Sequence, residues 1–528
     1  MKKIFLCTLM LAALLLCSCN KEVKEPEKDG SQQISAEISN EISNEGANES
    51  AELEAEVKYS YAMGMKSLEK SEGILPIQGV SISCERAELL TRAESLFDKG
   101  NTAVELVLDE GFTIPDANEQ LSDQGYRIEV TDKITITAST EVGLYYGTRT
   151  VSDYIKLQGC MEKGVYTDWP DVAERTLHLD TARKYFTKDF IIDMIEEVSA
   201  LKMNAVELHF SENEGFRIQC DTDPAIVSDD YLTKDEVREI ISAAKELYVE
   251  IIPSFDSPGH LLQILSVHPE YTLTDVDGYN SPKTLDITNP DAIAYIKSLL
   301  DEYAELFADC KSFNIGGDES FGWSNVDRMQ FSAWKVLEDY AKATYGEEAN
   351  AHDAFLGYIN DIAKHLTDKG FAVRAWNDGL LRTVGQAAVL KPSAHIDICF
   401  WTVGGVLKAE DVSEFIENGH KIYNVNEQYM YYVLKEDYDQ PKATEIFKNW
   451  NAGVFTGDSG NYKNPEQVGD QLQGAYFCIW CDHPNTQSSS AVKANSARPM
   501  AAMAVKSWNA KPHVAYSDFA AQFNSLIG

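Results

Sequence analysis

Eight short apolar runs recur from residue 175 onward and constrain the fold more than any other feature. They occupy residues 175–182, 205–212, 249–256, 312–319, 372–379, 395–402, 421–428 and 475–482. Between most of them lie amphipathic stretches with apolar residues at helical spacing, clearest at 188–202 and 234–249. Strand–helix alternation repeated eight times means parallel strands joined by crossovers. The expectation is an α/β chain whose residues 171–528 form a (β/α)8 barrel of the TIM type. An open doubly wound sheet is the alternative. No glycine-rich phosphate turn follows the first run, which counts against it.

The residues before the barrel divide by composition. Residues 56–170 read as a small α+β domain, with a strand at 102–110, a hairpin at 126–139 and helical spacing at 85–100 and 141–157. No catalytic cluster falls within it. Residues 19–55 are rich in Glu, Ser and Asn and carry too few apolar residues to bury, so they read as a disordered acidic tether. Residues 1–18 read as a signal peptide: Lys2 and Lys3 precede a short apolar run that ends in Leu16-Cys17-Ser18-Cys19. Those four residues resemble a bacterial lipoprotein cleavage box, with Cys19 as the lipidated residue. A lipid-anchored, extracytoplasmic location on a bacterial envelope is the expectation. An ordinary signal peptide with a chance cysteine is the alternative.

Charge and cysteine usage exclude some functions. With 84 acidic and 46 basic residues the net charge is −38, the wrong sign for nucleic acid. Seven cysteines lie beyond the N-terminal segment, scattered and odd in number, which does not suggest a disulfide framework. Cys478 and Cys481 form a C-x-x-C without a second pair to complete a zinc site, and read as packing residues. No metal and no cofactor are expected.

In a barrel of this kind the active site forms where the strands end. Polar and aromatic residues stand at nearly every such end here: Asp180 and Arg183, His209 and Glu212, Asp256 and His260, Asp318 and Glu319, Trp376 and Asp378, Trp401, Tyr431, Trp480 and Asp482. Singly, each fits packing or capping. Together, three tryptophans with carboxylates and an arginine suit an amphipathic ring carrying hydroxyl groups, which describes a sugar. Trp323 closes the stretch FNIGGDESFGW and is a further candidate contact. Adjacent residues of a strand point to opposite faces, so Asp318 and Glu319 are not expected to flank one bond as an acid and a nucleophile. Two close carboxylates also resist joint ionisation, so one is expected to have a raised pKa and the pair to divide its roles. Gly316 and Gly317 let the backbone bend toward the site.

FNIGGDES resembles the H-x-G-G-D-E signature of the family 20 glycoside hydrolases, the β-N-acetylhexosaminidases. RTLHLDTARKYF, MNAVELHFSENEGFRI, IIPSFDSPGH, LDITNP and RAWNDGL follow in that family's order, and the likeness spans about residues 100–510. IFKNWNAGVFTGD and YFCIWCD look especially like its dispersin-type branch, which cleaves β-1,6-linked poly-N-acetylglucosamine. The resemblance implies retaining, substrate-assisted catalysis on N-acetylhexosamine-containing glycans. Glu319 would be the general acid and then the base, a role that a raised pKa would suit. Asp318 would hold the acetamido N–H and Tyr431 the acetamido oxygen. Arg183, His260, Trp323, Trp376, Asp378, Trp401, Trp480 and Asp482 would bind the substrate.

Three positions depart from the family pattern. Asn314 stands where His is usual, Ser254 replaces a common acid, and Asp482 is one methylene shorter than the frequent Glu. The shorter acid leaves room near O3 and O4, which admits a lacto-N-biosidase releasing a Gal-GlcNAc disaccharide. A non-catalytic carbohydrate-binding lipoprotein on the same fold is the other alternative.

Overall fold

The computed structural model describes residues 65–320, 328–382, 387–404, 409–457 and 462–526. The signal segment, Cys19, the whole of the acidic stretch before residue 65, and Trp323 lie outside these. Among the described residues no helix is long and apolar enough to cross a membrane.

The small domain is a six-stranded mixed sheet. Its strands are β1 (Ser67–Pro76), β2 (Val80–Cys84), β3 (Thr102–Leu108), β4 (Tyr126–Val130), β5 (Ile134–Ala138) and β6 (Cys160–Asp168), in the spatial order β1-β6-β4-β5-β3-β2. The expected hairpin is β4 and β5, paired antiparallel. One helix, Glu141–Gln158, covers a face of the sheet. Its first turn is capped by the Thr140 hydroxyl, and it stops at Gly159, whose φ of 66° no β-carbon obstructs.

The barrel strands are Glu174–Asp180, Ala205–Glu212, Glu250–Phe255, Ser312–Asn314, Ala372–Trp376, Ile396–Phe400, Ile422–Asn424 and Leu472–Trp480. Each pairs in parallel with the next. The last returns to the first, with Phe477 beside Leu177, so the sheet closes on itself. All eight runs singled out in the sequence supply a strand. Strands covered on both faces need no polar alternation, and every residue of Ala205–Glu212 is buried.

Polar residues inside the barrel bond one another in a connected network. Arg374 donates to both oxygens of Glu174 and to the Tyr476 hydroxyl at 2.5 Å. Tyr476 in turn donates to Glu207 at 3.0 Å, and Glu207 also meets His178 Nδ1 at 2.9 Å and the Asn314 amide at 3.0 Å. Such a network tolerates little change, because removing one partner strands a buried charge.

A second buried network joins the small domain to the barrel. Asp168, at the end of β6, accepts from the Tyr126 hydroxyl at 2.8 Å and from the Trp508 indole at 2.9 Å. Lys202 reaches in from the barrel side to Tyr126 and Thr150 at 2.8 and 2.7 Å. Burial pushes the Asp168 carboxyl up to about 6, against the pull of Lys202.

Candidate active site

The fourth barrel strand ends at Asn314, earlier than the apolar run suggested. Asn314 accepts the Gly316 N–H at 3.0 Å, and the Trp376 N–H bonds the Gly316 carbonyl at 2.9 Å. The chain then turns through Gly316 and Gly317, at φ 71° and 92°. A β-carbon on Gly316 would overlap the Asp256 carboxylate and approach its Cα to 2.8 Å, so only glycine fits. Asp318 and Glu319 therefore sit on a loop, where strand alternation does not apply, and Glu319 itself adopts φ 43°.

Both carboxylates consequently reach the same partner. His260 Nε2 lies 3.6 Å from Asp318 Oδ2 and 3.7 Å from Glu319 Oε2. The other ring nitrogen, Nδ1, lies 2.5 Å from Glu212 Oε1. Burial alone would push the His260 imidazole down, but Asp318, Glu212 and Asp256 outweigh it and hold the ring well above the usual histidine range. His260 is thus a cation held among carboxylates.

The raised member of the acidic pair is Asp318, at about 6. Burial is the main cause, opposed by His260 and reinforced by the charge of Glu319. The two side chains differ in exposure, that of Asp318 being 15% exposed and that of Glu319 53%. Asp378 completes the arrangement. Its Oδ2 accepts the Glu319 backbone N–H at 2.9 Å, and its Oδ1 the Trp401 indole N–H at 3.0 Å. Burial first, and then the Asp318 charge, raise its carboxyl to about 7.

Arg183 lies at the far side. It donates to Asp180 at 3.0 Å, to Glu212 and to Glu214 at 3.2 Å, and its guanidinium stands 5.6 Å over the Trp480 ring. Asp180 also accepts the Cys481 N–H at 2.9 Å, tying the first barrel strand to the residue after the last. Aromatic rings wall the space between. Trp401 and Tyr431 stack with centroids 6.0 Å apart, Tyr431 meets Trp480 at 5.7 Å, and Trp480 meets Trp376 at 6.0 Å. Trp376 lies at the base, 1% exposed, with its indole nitrogen unpartnered, as is that of Trp480. Asp482 is exposed just beyond Cys481.

Of the candidate residues, the structure brings Asp318, Glu319, His260, Asp378 and Trp401 into one linked cluster. Arg183, Trp376, Tyr431 and Trp480 stand around it. Glu212 and Asp256 stood among the strand ends in the sequence but carried no assigned role. Glu207 was missed altogether, although a glutamate in the middle of an apolar strand was itself a signal. Asn314 and Ser254 find partners, the latter 3.2 Å from His209 Nδ1. His209, Glu212 and Asp256 offer potential metal-ligand atoms within 4.8 Å of one another. Arg183 and His260 already supply positive charge to Glu212 there.

A carboxylate pair of unequal exposure, an imidazole against both and an aromatic wall thus meet at the ends of the strands of a (β/α)8 barrel. The sequence matches the family described as "Glycosyl hydrolase family 20, catalytic domain" over residues 173–511, and "Glycosyl hydrolase family 20, domain 2" over residues 45–169. The chain belongs to glycosyl hydrolase family 20.

Among curated relatives, a lacto-N-biosidase of Bifidobacterium bifidum is 28% identical over 411 residues, 77% of this chain and 35% of that protein. β-Hexosaminidase subunit A1 of Dictyostelium discoideum is 24% identical over 60% of this chain and 56% of its own. The chain thus spans between about a third and just over half of these relatives' lengths. A solved chitobiase of Flavobacterium johnsoniae shares the fold, with a TM-score of 0.68 at 20% identity over 88% of this chain and 71% of that one.

Proposed function

We propose that the protein is a retaining glycoside hydrolase that releases terminal β-linked N-acetylhexosamine from glycans by substrate-assisted catalysis. The observation that carries this is the shared position of Asp318 and Glu319 against His260 Nε2, with unequal exposure. Glu319, open to solvent, gives its proton to the glycosidic oxygen as the bond from C1 to that oxygen breaks. The substrate's own acetamido oxygen forms the new bond to C1, giving an oxazolinium ion. Asp318, ionised at neutral pH, accepts the acetamido N–H and faces the positive charge. Tyr431 donates to the acetamido oxygen, and Trp376, Trp401 and Trp480 enclose the group. Water then attacks C1 as the bond from C1 to the acetamido oxygen breaks and restores the acetamido group, the water's proton passing to Glu319. His260 Nε2 stands against both side chains and supports the negative charge on Asp318, and Glu212 fixes its ring.

The test is release of nitrophenol from p-nitrophenyl N-acetyl-β-glucosaminide and -galactosaminide, with chitobiose and poly-β-1,6-N-acetylglucosamine as natural substrates. Absence of turnover on all of these, together with none on the substrates of the second reading, would sink the proposal.

A second reading is release of lacto-N-biose. Two observations favour it. The Bifidobacterium relative of that name matches over 77% of this chain. Arg183, which would bind the terminal sugar's hydroxyls, has three of its five N–H donors engaged by Asp180, Glu212 and Glu214. Lacto-N-tetraose and p-nitrophenyl lacto-N-bioside decide it, since only this reading yields an intact disaccharide.

We also propose attachment to the outer face of a bacterial envelope through a lipid on Cys19. The support is the Leu16-Cys17-Ser18-Cys19 sequence after an apolar run. Metabolic labelling with an alkyne fatty acid should mark the wild type, and Cys19→Ser should remove the label.

A further inference from the structure

One flank of the site is a segment without a part in the chemistry. After His260 the chain forms a short helix, Leu262–Val267, and then a hairpin of Thr272–Thr274 paired antiparallel with Asn280–Leu285. The hairpin's base is bonded to both halves of the catalytic machinery. The Leu285 N–H donates to Pro258 at 2.9 Å, the Leu261 N–H donates to Lys283 at 3.1 Å, and the Thr284 hydroxyl donates to the Ser320 carbonyl at 3.4 Å. Ser320 follows Glu319, so the hairpin stands on the side of the proton donor.

The same segment exposes apolar surface. Leu262 is 40% exposed, Val267 36%, Val276 62% and Tyr279 61%. The turn that presents Tyr279 is stiff. Asp275 Oδ1 accepts the N–H groups of Asp277 and Tyr279 at 2.9 and 2.8 Å, and the Asp275 N–H donates to the Tyr279 carbonyl at 2.9 Å. An aromatic ring held in water on an ordered turn loses little entropy when a flat apolar face stacks on it. Tyr279 lies five residues from Thr284, about 17 Å along an extended strand, beyond the reach of a single leaving sugar.

We propose that this hairpin carries the leaving side of an extended glycan, with Tyr279 as the stacking platform. The inference rests on the hydrolase reading above, because a leaving chain must pass Glu319 to receive its proton. It also gives the substrate class, which is an oligosaccharide or polysaccharide longer than the unit released.

The experiment compares the released unit as its p-nitrophenyl glycoside with the same unit at the end of a hexasaccharide. In Tyr279→Ala, KM for the hexasaccharide should rise about fivefold or more. Its kcat, and both constants for the nitrophenyl glycoside, should stay within about twofold. Tyr279→Phe keeps the ring and should match the wild type. An unchanged hexasaccharide KM in Tyr279→Ala, or an equal change on both substrates, overturns the platform while leaving the hydrolase reading intact. A wild type inactive on both substrates overturns that reading, and this inference with it.

Discussion

Asp378 accepts the backbone N–H of Glu319 at 2.9 Å, so a carboxylate from the fifth barrel strand's loop holds Glu319 by its main chain. The same side chain holds Trp401 at 3.0 Å. Glu319 needs this hold because its φ of 43° is one that side-chain-bearing residues rarely adopt.

Asp378→Ala should therefore lower kcat by about 10- to 100-fold, the value of a charge-assisted hydrogen bond in a buried setting. Asp378→Asn keeps one acceptor oxygen and should recover part of the loss. Steady-state kinetics on a nitrophenyl glycoside checks this. Equal activity of the Ala variant and the wild type would remove Asp378 from the machinery.

Glu319→Gln cannot donate a proton and should lose at least about 100-fold in kcat. The deficit should shrink for leaving groups of low pKa, which depart without protonation. Rates on a series of substituted phenyl glycosides read this out. A deficit independent of the leaving group would contradict the acid role.

In the proposed mechanism Asp318 works as an anion, and its carboxyl is raised to about 6. As pH falls through that value it takes up a proton and loses its hold on the positive centre. The acid limb of kcat/KM should bend near pH 6, with coupling to Asp378 broadening it. Asp318→Asn should be slow at all pH values and lack that limb. A wild-type acid limb near pH 4 would speak against Asp318.

Gly316→Ala places a β-carbon against Asp256 at a φ of 71°. Strain of this kind costs about 1–3 kcal/mol, and the obstruction is backbone as well as side chain. The variant should melt several degrees lower and lose activity with it. Unchanged melting, measured by scanning calorimetry, would show that the turn relaxes freely.

The barrel was legible in the sequence because its signals are local. Each apolar run and each amphipathic stretch declares itself within a dozen residues, and eight alternations leave few topologies open. The acidic pair was legible for the same reason, standing beside two glycines at the end of a strand. The division of labour within the pair was only half legible. Like-charge repulsion required one raised carboxyl, but relative burial selected Asp318, and burial belongs to the folded molecule.

What the sequence determined by itself is the alternation that closes into a barrel and the residue types delivered to its mouth. Tertiary structure decided which groups meet. Glu212, His260 and Asp318 lie far apart in the chain and converge only when the strands close. Asp378 and Tyr279 owe their positions to contacts across loops. Local pattern follows from backbone geometry and burial. Pairing between distant side chains depends on closure of the whole sheet, which no stretch of sequence encodes alone.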